Sequence, residues 1–224
     1  MPYLFDFDDS GTPDPHLLGG KGAGLAEMTG LGLPVPPGFT ITTEVCLRRM
    51  EDGTVPDDLW DEVEEAVHRI EEKTGRTFGS GQVPVLLSVR SGAAISMPGM
   101  MDSVLNLGIN DEVVEALADW SGDDHFAWDA YRRFVQMYGN VVLGVDESRF
   151  QAVLSNLRAE REVEDDSELT AEDLKSATAQ FKEIVESERP GELPTNPYDQ
   201  LKGAVEAVFA SWGGRRAVSY RKIQ

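Results

Sequence analysis

The sequence predicts an α+β protein, with a mixed lobe of strands and helices at 1–109 and 195–224 and an all-helical subdomain inserted at 110–194. Three observations predict it. Short β-patterned runs at 3–7, 39–42, 85–89 and 217–223 are set off by turns rich in Gly and Pro. From Asp111 to Glu188 the apolar residues recur almost entirely at three- and four-residue steps, the period of helices. A last helix and a last strand then return the chain to the pattern of its first half. The chain has 224 residues, 41% of them hydrophobic, enough for one or two domains with a sizeable core.

Taken in order, Tyr3, Leu4, Phe5 and Phe7 suggest a first strand. His16-Leu17-Leu18 leads into Gly19-Gly20-Lys21-Gly22-Ala23-Gly24, which reads as a glycine-rich turn opening a short helix that stops near Gly30 or Gly32. A helix N-terminus favours anions, and Lys21 adds a mobile positive charge. The loop is not a Walker A motif. That motif needs Gly five residues before the Gly-Lys pair and Ser or Thr after it, and Pro15 and Gly22 stand there instead. Nor is it a dinucleotide fingerprint, because Glu27 takes the place of a small residue. Motif grammar leaves phosphate binding and a plain helix-entry turn equally open.

Leu33 to Gly38 is a stiff, proline-rich connector. Phe39 to Thr42 is a strand, and Thr43 starts a short helix to about Met50 in which Cys46 is a core residue. A helix follows from Asp57 to about Thr74, with Leu59, Val63, Ala66, Val67 and Ile70 on one face and Gly75 closing it. His68 on that helix is read as solvent-facing or structural, and His16, His68 and His125 have no metal-ligand spacing.

The stretch Pro84 to Asn110 organises the chain. Val85, Leu86, Leu87 and Val89 predict a strand buried on both faces. It ends in Arg90, followed by Ser91, Gly92, Ala93 and Ala94. A guanidinium at a strand end, beside residues small enough for a ligand to approach the backbone, suits a phosphate oxygen. Pro98 and Gly99 shape the loop that follows, and Met97, Met100 and Met101 offer apolar surface to a flat ring. Each residue alone has a plainer reading, as a surface ion pair for the arginine and core filling for the methionines.

Helices are expected at Asp111–Trp120, at Asp124–Tyr138 with Phe126, Tyr131, Phe134, Val135 and Tyr138 apolar, and at Glu147 to about Arg161. Another, Thr170 to about Ser187, opens with a capping box, Thr170-Ala-Glu-Asp173. The acidic stretch Glu160–Asp173 reads as a connector and first helical turn. Arg132 and Arg133 cannot both face inward, and a surface pair is the plainer reading. Asn196-Pro197 starts a helix whose stripe is Leu201, Ala204, Val205, Val208, Phe209 and Trp212. Ala217 to Ile223 alternates as a strand.

The formal net charge is −20, from 40 acidic and 20 basic residues. Such a field argues against nucleic acid or an anionic membrane as partner. A single cysteine excludes an intrachain disulfide and makes a cytoplasmic location natural. The first residues lack the pattern of a signal peptide, and no apolar run approaches the ~18 residues of a membrane span.

The combination SVRSGAAISMPGMMDSVLNLGIND closely resembles the nucleotide-binding region of the pyruvate phosphate dikinase family, and LLGGKGAGLAEM, FAWDAYRRFVQMYG and AVFASWGGRRAVSYRK extend the resemblance over nearly the whole chain. The related phosphoenolpyruvate synthases keep the VRS core but differ after it. The resemblance implies an ATP-grasp arrangement in which this chain is the first lobe plus the helical insertion, with ATP held between two lobes. It implies reversible conversion of ATP, phosphate and pyruvate to AMP, diphosphate and phosphoenolpyruvate, by pyrophosphoryl transfer to a histidine on another domain. By the same resemblance Lys21 and Arg90 clamp the phosphates, Gly20 and Gly22 beside Lys21 bind the nucleotide, Met100, Met101 and Asp102 line the nucleotide pocket with Gly99 shaping the loop, and Arg133 is a weaker candidate. Mg²⁺ is expected, with its ligands in a second lobe beyond Gln224, where the phosphohistidine domain and the pyruvate-binding barrel are also expected. The fragment alone is therefore expected to be inactive, and the complete enzyme to be a homodimer. Two other readings stay open: part of a phosphoenolpyruvate synthase-like enzyme, or a non-catalytic module binding nucleotide or a partner.

Overall fold

A computed structural model describes residues 2–9, 11, 14–92 and 102–214. The described residues mix helices with three small two-stranded sheets, an α+β composition. They fall into two units. The first lies within 1–75, 90–102 and 205–224, and the second within 76–89 and 103–204.

In the first unit, β1 (Leu4–Asp6) pairs antiparallel with β2 (Phe39–Ile41), with Leu4 opposite Ile41. Between them runs α1 (Pro15–Gly30), capped by Asp14, whose carboxylate accepts from the His16 N–H at 2.8 Å. The chain then forms α2 (Thr43–Asp52) and α3 (Leu59–Thr74). Both helices stop where Gly53 and Gly75 take positive φ, so that the N–H of each glycine closes the last turn. The face expected of α3, Leu59, Val63, Ala66, Val67 and Ile70, is the buried one, and Cys46 of α2 is buried. Asp6 at the end of β1 accepts two hydrogen bonds from the Arg69 guanidinium, at 2.9 and 3.0 Å, and one from Lys73, at 3.3 Å, both on α3.

The second unit begins with β3 (Thr77–Phe78), parallel to β4 (Pro84–Val85). β5 (Leu87–Arg90) pairs with β6 (Ser103–Leu107). The expectation of one strand buried on both faces is corrected here. The run breaks at Leu86 into two short pieces serving two different ribbons, and Leu87 to Arg90 alternates between half-buried and exposed. A strand in a two-stranded ribbon has a pairing partner on one edge only, so an apolar run need not mark a fully covered strand. β3 and β6 are strands that the apolar patterning did not announce.

Four helices then dominate, α4 (Asp111–Ser121), α5 (Asp124–Met137), α6 (Glu147–Arg161) and α7 (Ala171–Glu188). One wide π-turn, Tyr138–Val142, continues α5. α5 packs chiefly on α7 and α4. Tyr131, Phe134 and Val135 on α5, and Leu174, Ala177, Phe181 and Val185 on α7, supply buried side chains. Phe150 of α6 meets Phe181 edge-on, with ring centroids 4.9 Å apart. The capping box of α7 forms with both arms: Asp173 N–H donates to Thr170 Oγ1, and Thr170 N–H donates to the Asp173 carboxylate. Phe126 is a correction. It is 46% exposed on the first turn of α5, outside the apolar stripe that begins at Ala127.

α8 (Pro197–Ser211) starts at Asn196, whose side chain accepts from the N–H groups of Tyr198 and Asp199. Its buried stripe is Leu201, Ala204, Val205, Val208 and Phe209. Gln200 is the polar member of that buried face. It is buried, accepts from Gly108 N–H at 2.8 Å, and donates to the carbonyls of Ile109 and Pro194. The expected strand 217–223 lies outside the described residues.

Candidate functional site

The glycines of α1 divide its first turns. Gly19 leaves the helical region at φ 69°, ψ 164°, and the helix resumes at Gly20. That φ/ψ region is essentially restricted to glycine. The expected turn therefore exists, but inside a helix that begins earlier, at Pro15. Gly19 and Gly22 are buried, whereas Gly20 and Lys21 are exposed. A Cβ on Gly22 would stand 2.6 Å from Thr40 Oγ1, so Gly22 lets α1 press on β2.

Arg90 closes β5 and is exposed, while Ser91, next to it, is buried. Gly92 follows. Its carbonyl oxygen fills the space that a Cβ on Gly19 would need, and a Cβ on Gly92 would stand 3.3 Å from Lys21 Cβ and 3.7 Å from the Lys21 nitrogen. The backbone after Arg90 thus lies directly against the backbone that carries Lys21. Within one unit, two cationic side chains stand on touching segments. Two basic groups on touching segments can neutralise a polyanion such as a polyphosphate, and an exposed backbone rich in glycine allows close approach.

Asp102 is half-buried in the same unit. Gly99, Met100 and Met101 lie outside the described residues. Arg133, on α5 in the second unit, is exposed and pairs with Asp129 Oδ2 at 2.7 Å. Its neighbour Arg132 is the buried member of the pair. It is held by Asp129 Oδ1 at 2.6 Å and by Gln136 Oε1 at 3.1 Å. Among the described residues no group of three or more His, Cys, Asp and Glu side chains is placed to hold a metal ion. Apolar patterning missed one part of the site, the pairing of Gly19 with Gly92. Each is visible in the sequence as a glycine, but nothing local says that they meet.

The family model of the pyruvate phosphate dikinase AMP/ATP-binding domain matches residues 15–59 and 47–224. The chain belongs to that family. It is 46% identical over 223 residues to the pyruvate, phosphate dikinase of Clostridium symbiosum, covering 99% of this chain and 26% of the relative. It is 51% identical over 211 residues to that of Rhizobium meliloti (strain 1021), covering 94% of this chain and 24% of the relative. The chloroplastic pyruvate, phosphate dikinase 1 of Zea mays is 50% identical over 209 residues, 93% of this chain and 22% of the relative. The chain spans about a quarter of the length of these pyruvate phosphate dikinases. Both the Lys21 loop and the Arg90 strand end fall within the matched residues of the AMP/ATP-binding domain. No helix among the described residues is long and apolar enough to cross a membrane.

Proposed function

We propose that this chain holds the phosphates of ATP for a pyruvate phosphate dikinase. The observation that carries the reading is the contact of the Lys21 segment with the Gly92 backbone, two positions after Arg90, in a chain of the AMP/ATP-binding family. In this reading Lys21 Nζ and the Arg90 guanidinium neutralise the β- and γ-phosphate oxygens, and the exposed Gly20 backbone allows close approach. Gly22 keeps the loop on β2. Met100, Met101 and Asp102 line the nucleotide pocket, with Gly99 shaping the loop and Arg133 a weaker candidate.

The reaction of the complete protein converts ATP, phosphate and pyruvate to AMP, diphosphate and phosphoenolpyruvate. In its first step a histidine nitrogen of another domain bonds to the β-phosphorus. The bond from that phosphorus to the bridging oxygen breaks, and AMP leaves with the electron pair. Negative charge moves onto the departing oxygen and the transferred phosphates, so fixed positive charge and alignment lower the barrier without a nucleophile from this chain. Mg²⁺ accompanies ATP in such chemistry. The described residues offer it no cluster of ligands.

The same reading makes 1–109 with 195–224 the first lobe of an ATP-grasp arrangement and 110–194 its helical subdomain. Pyruvate and phosphate bind only in the complete, homodimeric protein. A cytoplasmic location rests on the single cysteine, although some relatives are chloroplastic.

Calorimetric titration of Mg-ATP into the chain, beside Lys21→Ala and Arg90→Ala, tests the proposal. Each substitution removes a charged hydrogen-bond donor worth ~1.5–3 kcal/mol, so each weakens binding roughly 10- to 100-fold. Unchanged affinity in both folded variants would overturn it.

A further inference from the structure

Lys21 and Arg90 sit on different elements, and both side chains are exposed. With exposed side chains, their spacing depends on how closely their backbones approach. One contact sets that approach. Gly19 is buried at φ 69°, ψ 164°, and the Gly92 carbonyl oxygen lies where its Cβ would be. The neighbouring glycines differ. Gly22 is tightly packed against the Thr40 side chain rather than against Gly92, and Gly24 has open space where a Cβ would go.

We infer that Gly19 is a positioning residue for the nucleotide phosphates, its backbone contact with Gly92 setting the distance between Lys21 and Arg90. The inference rests on the phosphate-holding reading above and adds to it the element that makes the clamp. An alanine at 19 is opposed twice. Its φ/ψ is strained for any side chain, and its Cβ overlaps a main-chain oxygen that cannot rotate away. The relief open to the chain is to part the two segments, and that carries Lys21 away from Arg90. An alanine at 92 asks for less. Its Cβ meets Lys21 Cβ at 3.3 Å, which a shift of a few tenths of an ångström relieves.

The test separates the phosphate clamp from general packing by the length of the phosphate chain. ATP with Mg²⁺, and AMP, are titrated into the unsubstituted chain and into Gly19→Ala, Gly92→Ala and Gly24→Ala, with circular dichroism and a thermal melt of each. Gly19→Ala is expected to bind ATP at least tenfold more weakly while AMP affinity stays within twofold. Gly92→Ala is expected to show the same selective loss at about threefold, and Gly24→Ala none. If Gly19→Ala fails to fold, the milder Gly92→Ala decides, because its selective loss of ATP over AMP is read on a folded chain. Equal loss of ATP and AMP, or ATP affinity within twofold of the unsubstituted chain in the folded variants, overturns the inference while leaving the function intact. Absence of ATP binding by the folded, unsubstituted chain overturns both.

Discussion

Replacing Gln200 with Ala should destabilise the second unit by about 3 kcal/mol. Gln200 is 1% exposed and lies on α8 among apolar neighbours. Its amide oxygen accepts from Gly108 N–H at 2.8 Å, and its NH₂ group donates to Ile109 O at 2.9 Å and Pro194 O at 3.0 Å. One side chain thereby satisfies three main-chain groups, in the turn after β6 and in the linker before α8. Each hydrogen bond contributes about 1 kcal/mol net, and an orphaned buried N–H costs ~1–3 kcal/mol. The turn has little freedom to find substitutes. Gly108 sits at φ 95°, and a Cβ there would stand 2.6 Å from Phe78 Cε2. Alanine also leaves a cavity, so ~3 kcal/mol is the lower part of the range. For a chain of this size that corresponds to a fall in melting temperature of roughly 6–12 °C. Urea denaturation followed by circular dichroism measures it, with the slope checked so that the midpoint shift reports stability. Gln200→Glu should be worse than alanine, because it replaces the two donors with a charge facing two carbonyl oxygens. A loss below ~1 kcal/mol for Gln200→Ala at unchanged slope would refute the reasoning, since the three groups would then have other partners.

Two further outcomes follow from local chemistry. Thr170→Ala removes one arm of the capping box on α7 and should lower stability by ~1 kcal/mol, with Thr170→Ser restoring most of it in the same urea experiment. For Asp6, burial opposes the charge, but hydrogen bonds from Arg69 and Lys73 outweigh it and hold the carboxyl below its ordinary value of 3.8. A lowered folded-state pKa stabilises above the unfolded-state value, and this is lost as the pH falls through the folded value. The stability difference between the unsubstituted chain and Asp6→Asn should therefore be constant near neutral pH and shrink below about pH 4. A difference independent of pH from 7 to 3 would exclude that carboxylate as the source.

Helices were the legible part of the fold. α3, α4, α6, α7 and α8 announce themselves by apolar residues at three- and four-residue steps, by caps at Thr170 and Asn196, and by the stop at Gly75. Those signals are local, and the backbone obeys them wherever the helix is packed. Strands were less legible. Val85 to Val89 looked like one buried strand, yet it serves two ribbons, and Thr77–Phe78 and Ser103–Leu107 carried no clear alternation. A strand is defined by its partner, and the partner is distant in sequence. Phe126 shows the same limit on a helix. Periodicity places a residue near a stripe, but the neighbouring elements decide how wide the buried stripe is.

The sequence by itself determined the family, the helical periods and their caps, and the identity of Lys21 and Arg90 as cations set among glycines. These rest on residue types and short spacings, which need no knowledge of what lies across the fold. The tertiary structure alone decided which of Arg132 and Arg133 is buried, that Gln200 serves three main-chain groups from the first turn of a helix, and that Gly19 meets the Gly92 carbonyl. Each depends on segments remote in sequence arriving at one place, and excluded volume and hydrogen-bond satisfaction act only after they have arrived.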